Sequence, residues 1–180
     1  FTAQSGGRGR IRNENVVYAT CRNAADGNLS GDLGLVQAES SYTLNRFFCP
    51  FNTSSIPAGA TINSGTLRLI ATGEAKVDTD SDSLVVVAST QADATSVTTA
   101  DYDQSGAVNF GTILLSNYGT AVNTENDIAL NANGLAQITK AGTSLFAVKF
   151  NTRDLGNTAP TGNNEARFSS GSTALVVNYT

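Results

Sequence analysis

Histidine, tryptophan and methionine are all absent from this 180-residue chain. Without imidazole there is no Ser-His-Asp or Cys-His constellation, no histidine general base and no histidine metal ligand. Two cysteines, Cys21 and Cys49, are too few for a structural zinc cluster. No glycine-rich loop runs into Lys and Ser/Thr, so the P-loop way of cradling phosphate is excluded. Charge is sparse as well. Eleven Lys and Arg against 15 Asp and Glu leave a net −4, the wrong sign for a sequence-independent nucleic-acid binder. No apolar run approaches the roughly 20 residues of a membrane span, so insertion is not expected.

What is present is a β vocabulary. Hydrophobic residues make up 40% of the chain and 17 glycines punctuate it, which fits one domain with a sizeable core. The densest pattern is Leu44–Thr72. In Arg46–Phe51, Phe47, Cys49 and Phe51 share one face at period two with Phe48 opposite. In Thr66–Ile70, Leu67 and Leu69 share a face. Between them, Ile56-Pro57-Ala58-Gly59-Ala60 reads as a turn, with Pro57 fixing its own φ and Gly59 free to take positive φ. These two runs are expected to be neighbouring strands.

Further strands are expected at Val16–Arg22, Leu35–Ala38, Leu84–Ala88, Val108–Leu115 (broken at Gly111), Asp127–Leu130, Ser144–Asn151, Ala166–Ser169 and Leu175–Tyr179. In Ser144–Asn151, Phe146, Val148 and Phe150 occupy one face and Leu145, Ala147 and Lys149 the other. Asn23–Gly34 and Arg153–Glu165 read as loops. Asn131–Lys140 is expected to hold a single short helix, capped by Asn131 or Asn133 and closed by Gly142. The fold class is therefore all-β: a two-sheet antiparallel sandwich of jelly-roll type with one short helix, spanning residues 14–180. Residues 1–13, with Gly6, Gly7 and Gly9 among Arg8, Arg10 and Arg12, read as a flexible basic arm, either a loose tail or an assembly arm reaching a neighbouring subunit.

Arg46-Phe47-Phe48, then Phe51–Ile62, then Ser64-Gly65-Thr66-Leu67-Arg68-Leu69, resembles the signature of the DNRLRE-type domains. The closing Ala174–Thr180 is similar to the last strand of that family. Cys49-Pro50 replaces ordinary strand residues there, and Asn52 stands where Asp is common. The resemblance implies an extracellular β-sandwich module related to carbohydrate-binding modules, of a kind found in secreted, wall-attached and phage structural proteins. A Thr-, Ser- and Asn-rich composition low in Lys suits the same setting: extracellular, on a cell surface or on a virion. A chain that begins at Phe1 fits a processed leader or a numbering that starts inside a longer product.

Candidate sites are few. Asp78, Asp80 and Asp82 alternate and offer hard oxygen ligands suited to calcium, though without the Gly and distal acid of an EF-hand loop; the other reading is a solvated run beside a strand. No other cofactor is expected. Tyr102 and Tyr118, in polar, Gly-containing surroundings, are the aromatic faces expected to be exposed to a glycan. Cys21 and Cys49 read as a disulfide, worth about 3–4 kcal/mol in the chain-entropy view, as two buried thiols, or as an intermolecular bridge. A glycosidase pair would have to come from Glu74, Asp101, Asp103, Glu125, Asp127 and Asp154, but no spacing marks one. The expectation is a non-catalytic structural or decoration subunit, partnered by copies of itself or other subunits of a filament or virion. The alternative is a carbohydrate-binding module attached to a wall or surface glycan.

Overall fold

Strand β4 (Tyr42–Asn52) is buried along most of its eleven residues, with both faces covered. Phe47, Cys49 and Phe51 enter one core cluster, while Phe48 enters a second cluster behind it. The period-two pattern is confirmed, and the face that carries Phe48 is dry as well. In the computed structural model, residues 1–30 and 41–180 are described with their side chains, and Leu33–Ala38 as backbone.

Mostly antiparallel β-sheet results. β1 (Gly9–Asn15) pairs with one edge of β4, Arg10 opposite Phe47, and carries the short β2 (Asn28–Ser30) on its far side. On the other edge of β4 lie β3 (Leu33–Ala38) at Thr43 and Leu44, then β10 (Thr143–Phe150) from Phe47 to Asn52. Two further strands, β7 (Ser83–Ala88) and β8 (Gly111–Leu114), extend this sheet beyond β10. Its opposite flank is formed by β11 (Asn164–Ser169) and the two-residue β6 (Val77–Asp78). A second sheet has the order β12-β5-β9, from β12 (Ala174–Tyr179), β5 (Ile62–Ile70) and β9 (Glu125–Ala129).

The first cluster fills the space between these sheets. Phe47, Phe51, Phe146, Phe150 and Phe168 come from the large sheet, and Leu67, Leu69, Ile128 and Leu175 from the small one. Phe47 and Phe168 meet edge to face at 5.1 Å, the geometry that ring quadrupoles favour. The two runs expected to neighbour each other thus lie in different sheets. The Ile56–Ala60 turn carries the chain from one layer to the other. Ala60 N–H donates to the Pro57 carbonyl there. Gly59 does not take positive φ; among the described glycines only Gly73 and Gly111 do.

The second cluster, Ile11, Phe48, Val85, Val87, Tyr102 and Ala147, lies on the far face of the large sheet. It is covered by irregular chain, including the 91–107 segment and α1 (Tyr18–Arg22). Three expectations change here. Val16–Arg22 is not a strand: Asn15 Oδ1 accepts the Val17 N–H, turning the chain into α1, where only Cys21 is fully buried. The loop expected at 23–34 contains β2; its residues 31 and 32 lie outside the described part. Residues 1–13 are not a free arm. Gly7 is packed so closely that a Cβ would sit 1.8 Å from the Ala94 carbonyl oxygen, and β1 is integral to the sheet. Arg8 donates to the Ala3 carbonyl, Arg10 to Ser30 Oγ, and Arg12 faces Glu14 at 3.6 Å. A short helix is found inside the expected segment: α2 (Ala132–Ala136) begins at Asn131, whose Oδ1 accepts the Asn133 and Gly134 N–H groups. It ends at Gln137, well before Gly142, and α1 shows that it is not the single helix expected.

Gly7→Ala is expected to lower stability by about 1–3 kcal/mol in urea unfolding, the range for overpacking a tight contact. An unchanged midpoint would mean that this segment is not docked.

Candidate functional site

Within the second layer, Arg46 projects from β4 with 5% of its surface exposed. A guanidinium so dehydrated demands a counter-charge. Asp154 supplies it from the single wide helical turn at Asn151–Leu155: Nε to Oδ2 and Nη2 to Oδ1, both 2.7 Å. Arg46 also donates to the carbonyls of Tyr102 (2.8 Å) and Arg22 (2.7 Å), and its charged carbon stands 4.2 Å from the Tyr102 ring centre. Burial opposes that charge, but the adjacent Asp154 carboxylate outweighs it and raises the Arg46 pKa further.

Beside Arg46 lies a cavity of about 270 Å³, whose lining includes Arg22, Asn23, Asp103, Ser105 and Lys149. Arg22 comes from α1, and its Nε donates to the Asp154 backbone carbonyl at 2.6 Å. Lys149 comes from β10, where the alternating pattern sends it away from the phenylalanines. That face is buried, and Lys149 is only 4% exposed. Its ammonium reaches Ser105 Oγ at 3.2 Å, the sole hydrogen-bond partner it has among the described residues. Desolvation brings its pKa down to about 8; Asp154 pulls the other way, and Arg46 and Arg22 add to the depression. Chemically, this is a half-open cationic hollow, with exposed Asn23 and Asp103 at its rim and an under-partnered ammonium on its wall.

The residues singled out from sequence are dispersed and structurally engaged. Tyr102 and Tyr118, expected as exposed platforms, are both buried. Their hydroxyls donate to the carbonyls of Cys21 and Arg167, and burial pushes both phenols up. The three alternate aspartates do not converge on a common point: among the described residues no group of three His, Cys, Asp or Glu side chains is arranged to hold a metal ion. Asp82 caps the wide turn, its carboxylate accepting the N–H groups of Ser83, Thr152 and Arg153. Asp80 accepts from Thr161 N–H and Oγ1 and faces Arg153 at 3.4 Å. Burial there is outweighed by those donors, and the carboxyl is held below its usual range. Asp78 is half-buried in β6.

Cys21 and Cys49 are both free and buried. Cys49 faces the inter-sheet core, whereas Cys21 sits in the opposite layer with its thiol on the carbonyls of Asn13 and Tyr42. Burial pushes both thiols up and favours the inert, protonated form. Of the six acids considered for catalysis, Asp154 holds Arg46 and four more are tied up in ion pairs or a cap, while Asp103 is exposed on the wall of the hollow. Glu125 and Asp127 clamp Arg68, Glu74 meets Arg167, and Asp101 closes a capping box with Thr98.

Sequence reading passed over Arg46, Lys149 and Arg22. The signal available for the first two is a lone cation interrupting an apolar strand, in Leu44–Phe51 and again in Leu145–Phe150.

Lys149 provides the pH test. Its folded pKa lies below the usual 10.5, so the unfolded chain binds more protons between about pH 8 and 10.5, and the wild type gains stability as pH rises through that window. Lys149→Met is expected to be more stable than wild type at pH 7, by about 2–3 kcal/mol from linkage. That advantage shrinks towards pH 10. Thiol and phenol ionisations are common to both proteins, so the difference between their urea-unfolding curves isolates Lys149; a pH-independent difference would contradict the assignment. In comparisons with family models, curated proteins and solved structures, no match to this chain is found.

Proposed function

We propose that this chain is a non-catalytic structural subunit of an extracellular surface assembly, a filament or a virion, built by pairing copies of itself through the edge of β12. The single observation that carries the reading is that edge. Residues 1–3 already add antiparallel to its first half: Phe1 and Leu175 exchange N–H and carbonyl bonds, and Ala3 N–H donates to Thr173. From Val176 to Tyr179 no strand among the described residues covers the outer side. Val176 and Tyr179 are exposed there. An open apolar hollow of about 310 Å³, lined by Pro57, Gly59, Ala60, Tyr179 and Thr180, adjoins its end.

Unpaired edges with apolar side chains are templates for strand addition, and soluble proteins ordinarily blunt them with charge. Two copies of β12 laid antiparallel would satisfy each other's free backbone groups around a two-fold axis. Each copy would also offer its hollow to a side chain of the other. The engagement of the acids in capping and ion pairs supports a scaffold rather than a hydrolase. The resemblance to DNRLRE-type domains and the jelly-roll reading of the sandwich belong to the same proposal. Glycan binding through Tyr102 and Tyr118 does not, because neither ring has a free face to offer.

The test is mass measurement across a concentration series. Wild type is expected to form a closed dimer, the pair that a two-fold β12 contact gives and the unit from which a larger assembly would be built. The Val176→Lys/Tyr179→Lys double variant is expected to stay monomeric with unchanged thermal stability. A wild type that is monomeric at the highest attainable concentration overturns the proposal.

A further inference from the structure

We infer that the hollow between β4, β10 and α1 is a binding site for a small hydroxylated monocarboxylate, of the size and chemistry of an acidic monosaccharide. Four observations, independent of the β12 edge, lead there.

The first is unused donor capacity on buried cations. An ammonium has three N–H donors, and Lys149, 4% exposed, gives one to Ser105 Oγ. Four of the five guanidinium donors of Arg46 are taken by Asp154, Tyr102 and Arg22. Leaving a charged donor dry and unpaired is costly. An anion seated in the hollow would satisfy these donors.

The second is charge. Lys149, Arg22 and Arg46 are opposed by Asp154 and by Asp103 on the wall, leaving one net positive charge. A monoanion is therefore neutralised, whereas a phosphate dianion would leave one excess negative charge beside the Asp103 carboxylate.

The third is the polar part of the remaining wall, which Gly106, Ala107 and Leu155 complete as an apolar patch. Asp103 repels a carboxylate and accepts O–H donors, and the Asn23 amide and Ser105 hydroxyl also suit hydroxyl groups. The carboxylate end thus faces Lys149 and Arg22, and the hydroxyl-bearing end faces Asp103.

The fourth is volume. About 270 Å³ greatly exceeds the roughly 30 Å³ a water occupies in the liquid. An acetate-sized ion would leave most of it empty. The destabilising burial of Lys149 fits a residue kept for a ligand rather than for the fold.

Titration calorimetry of the full chain at pH 7 and low salt tests this with D-glucuronate, D-glucose and inorganic phosphate as probes. Saturable binding of glucuronate is expected, with glucose and phosphate bound far more weakly. Lys149→Met, expected to fold at least as well as wild type, should weaken glucuronate binding about 10- to 100-fold, the loss of one charge-assisted hydrogen bond. Arg22→Gln should weaken it by a smaller factor. The inference is overturned if glucuronate gives no saturable binding, if phosphate or glucose binds as well, or if Lys149→Met leaves the affinity unchanged. None of these outcomes bears on multimer formation through β12.

Discussion

A full positive charge sits on Arg46 with almost none of its surface exposed, and the Asp154 carboxylate, held in two parallel hydrogen bonds, is what makes that tolerable. The pair connects parts of the chain that no backbone ladder joins. Arg46 belongs to β4 in the middle of the large sheet, and Asp154 to the turn that follows β10. Through its other donors Arg46 holds the last residue of α1 and the carbonyl of Tyr102. The irregular layer behind the sheet is thereby fixed by directional polar contacts where regular structure is lacking. Buried pairs of this kind are weak sources of net stability, but losing one partner strands the other at high cost. Their contribution here is geometric: they specify which loop lies on which strand.

Several other features follow from having chain on both faces of the large sheet. Charges that would be solvated on an ordinary outer face must find partners, and they do. Asp82 is spent on the N–H groups of the wide turn, Asp80 on Thr161 and Arg153, and Asp101 on its capping box. Lys149 is the exception. It is as dry as the others but has a neutral hydroxyl as partner and two guanidinium groups nearby. The second layer is a well-satisfied structure with one cationic hollow left in it.

The alternation of Phe47, Cys49 and Phe51 against Phe48, and of Phe146, Val148 and Phe150 against Ala147 and Lys149, was legible because bulky residues recur at period two. So was the presence of a helix near Asn131, which depends on local chemistry, although the choice between Asn131 and Asn133 as its cap and its end at Gln137 were not. β1 was not legible. Ile11 is its only large apolar residue, and its place comes from pairing with β4 and from glycines that let the backbone approach the 91–97 segment. The Val16–Arg22 run failed for the opposite reason: its β-branched residues suggest a strand, yet Val16 and Val17 lie in solvent and an Asx turn redirects the chain. The hollow was illegible because it depends on burial of the face opposite the phenylalanines. A single sequence does not reveal which loop covers that face.

A double-mutant cycle on Arg46→Met and Asp154→Leu, read by urea unfolding, tests most directly whether the dry ion pair organises the second layer. The account predicts that each single change costs about 3–5 kcal/mol, while the double variant recovers most of one of those losses, because no lone charge remains buried. Single losses below about 1 kcal/mol that simply add, the value of a solvated surface pair, would contradict it.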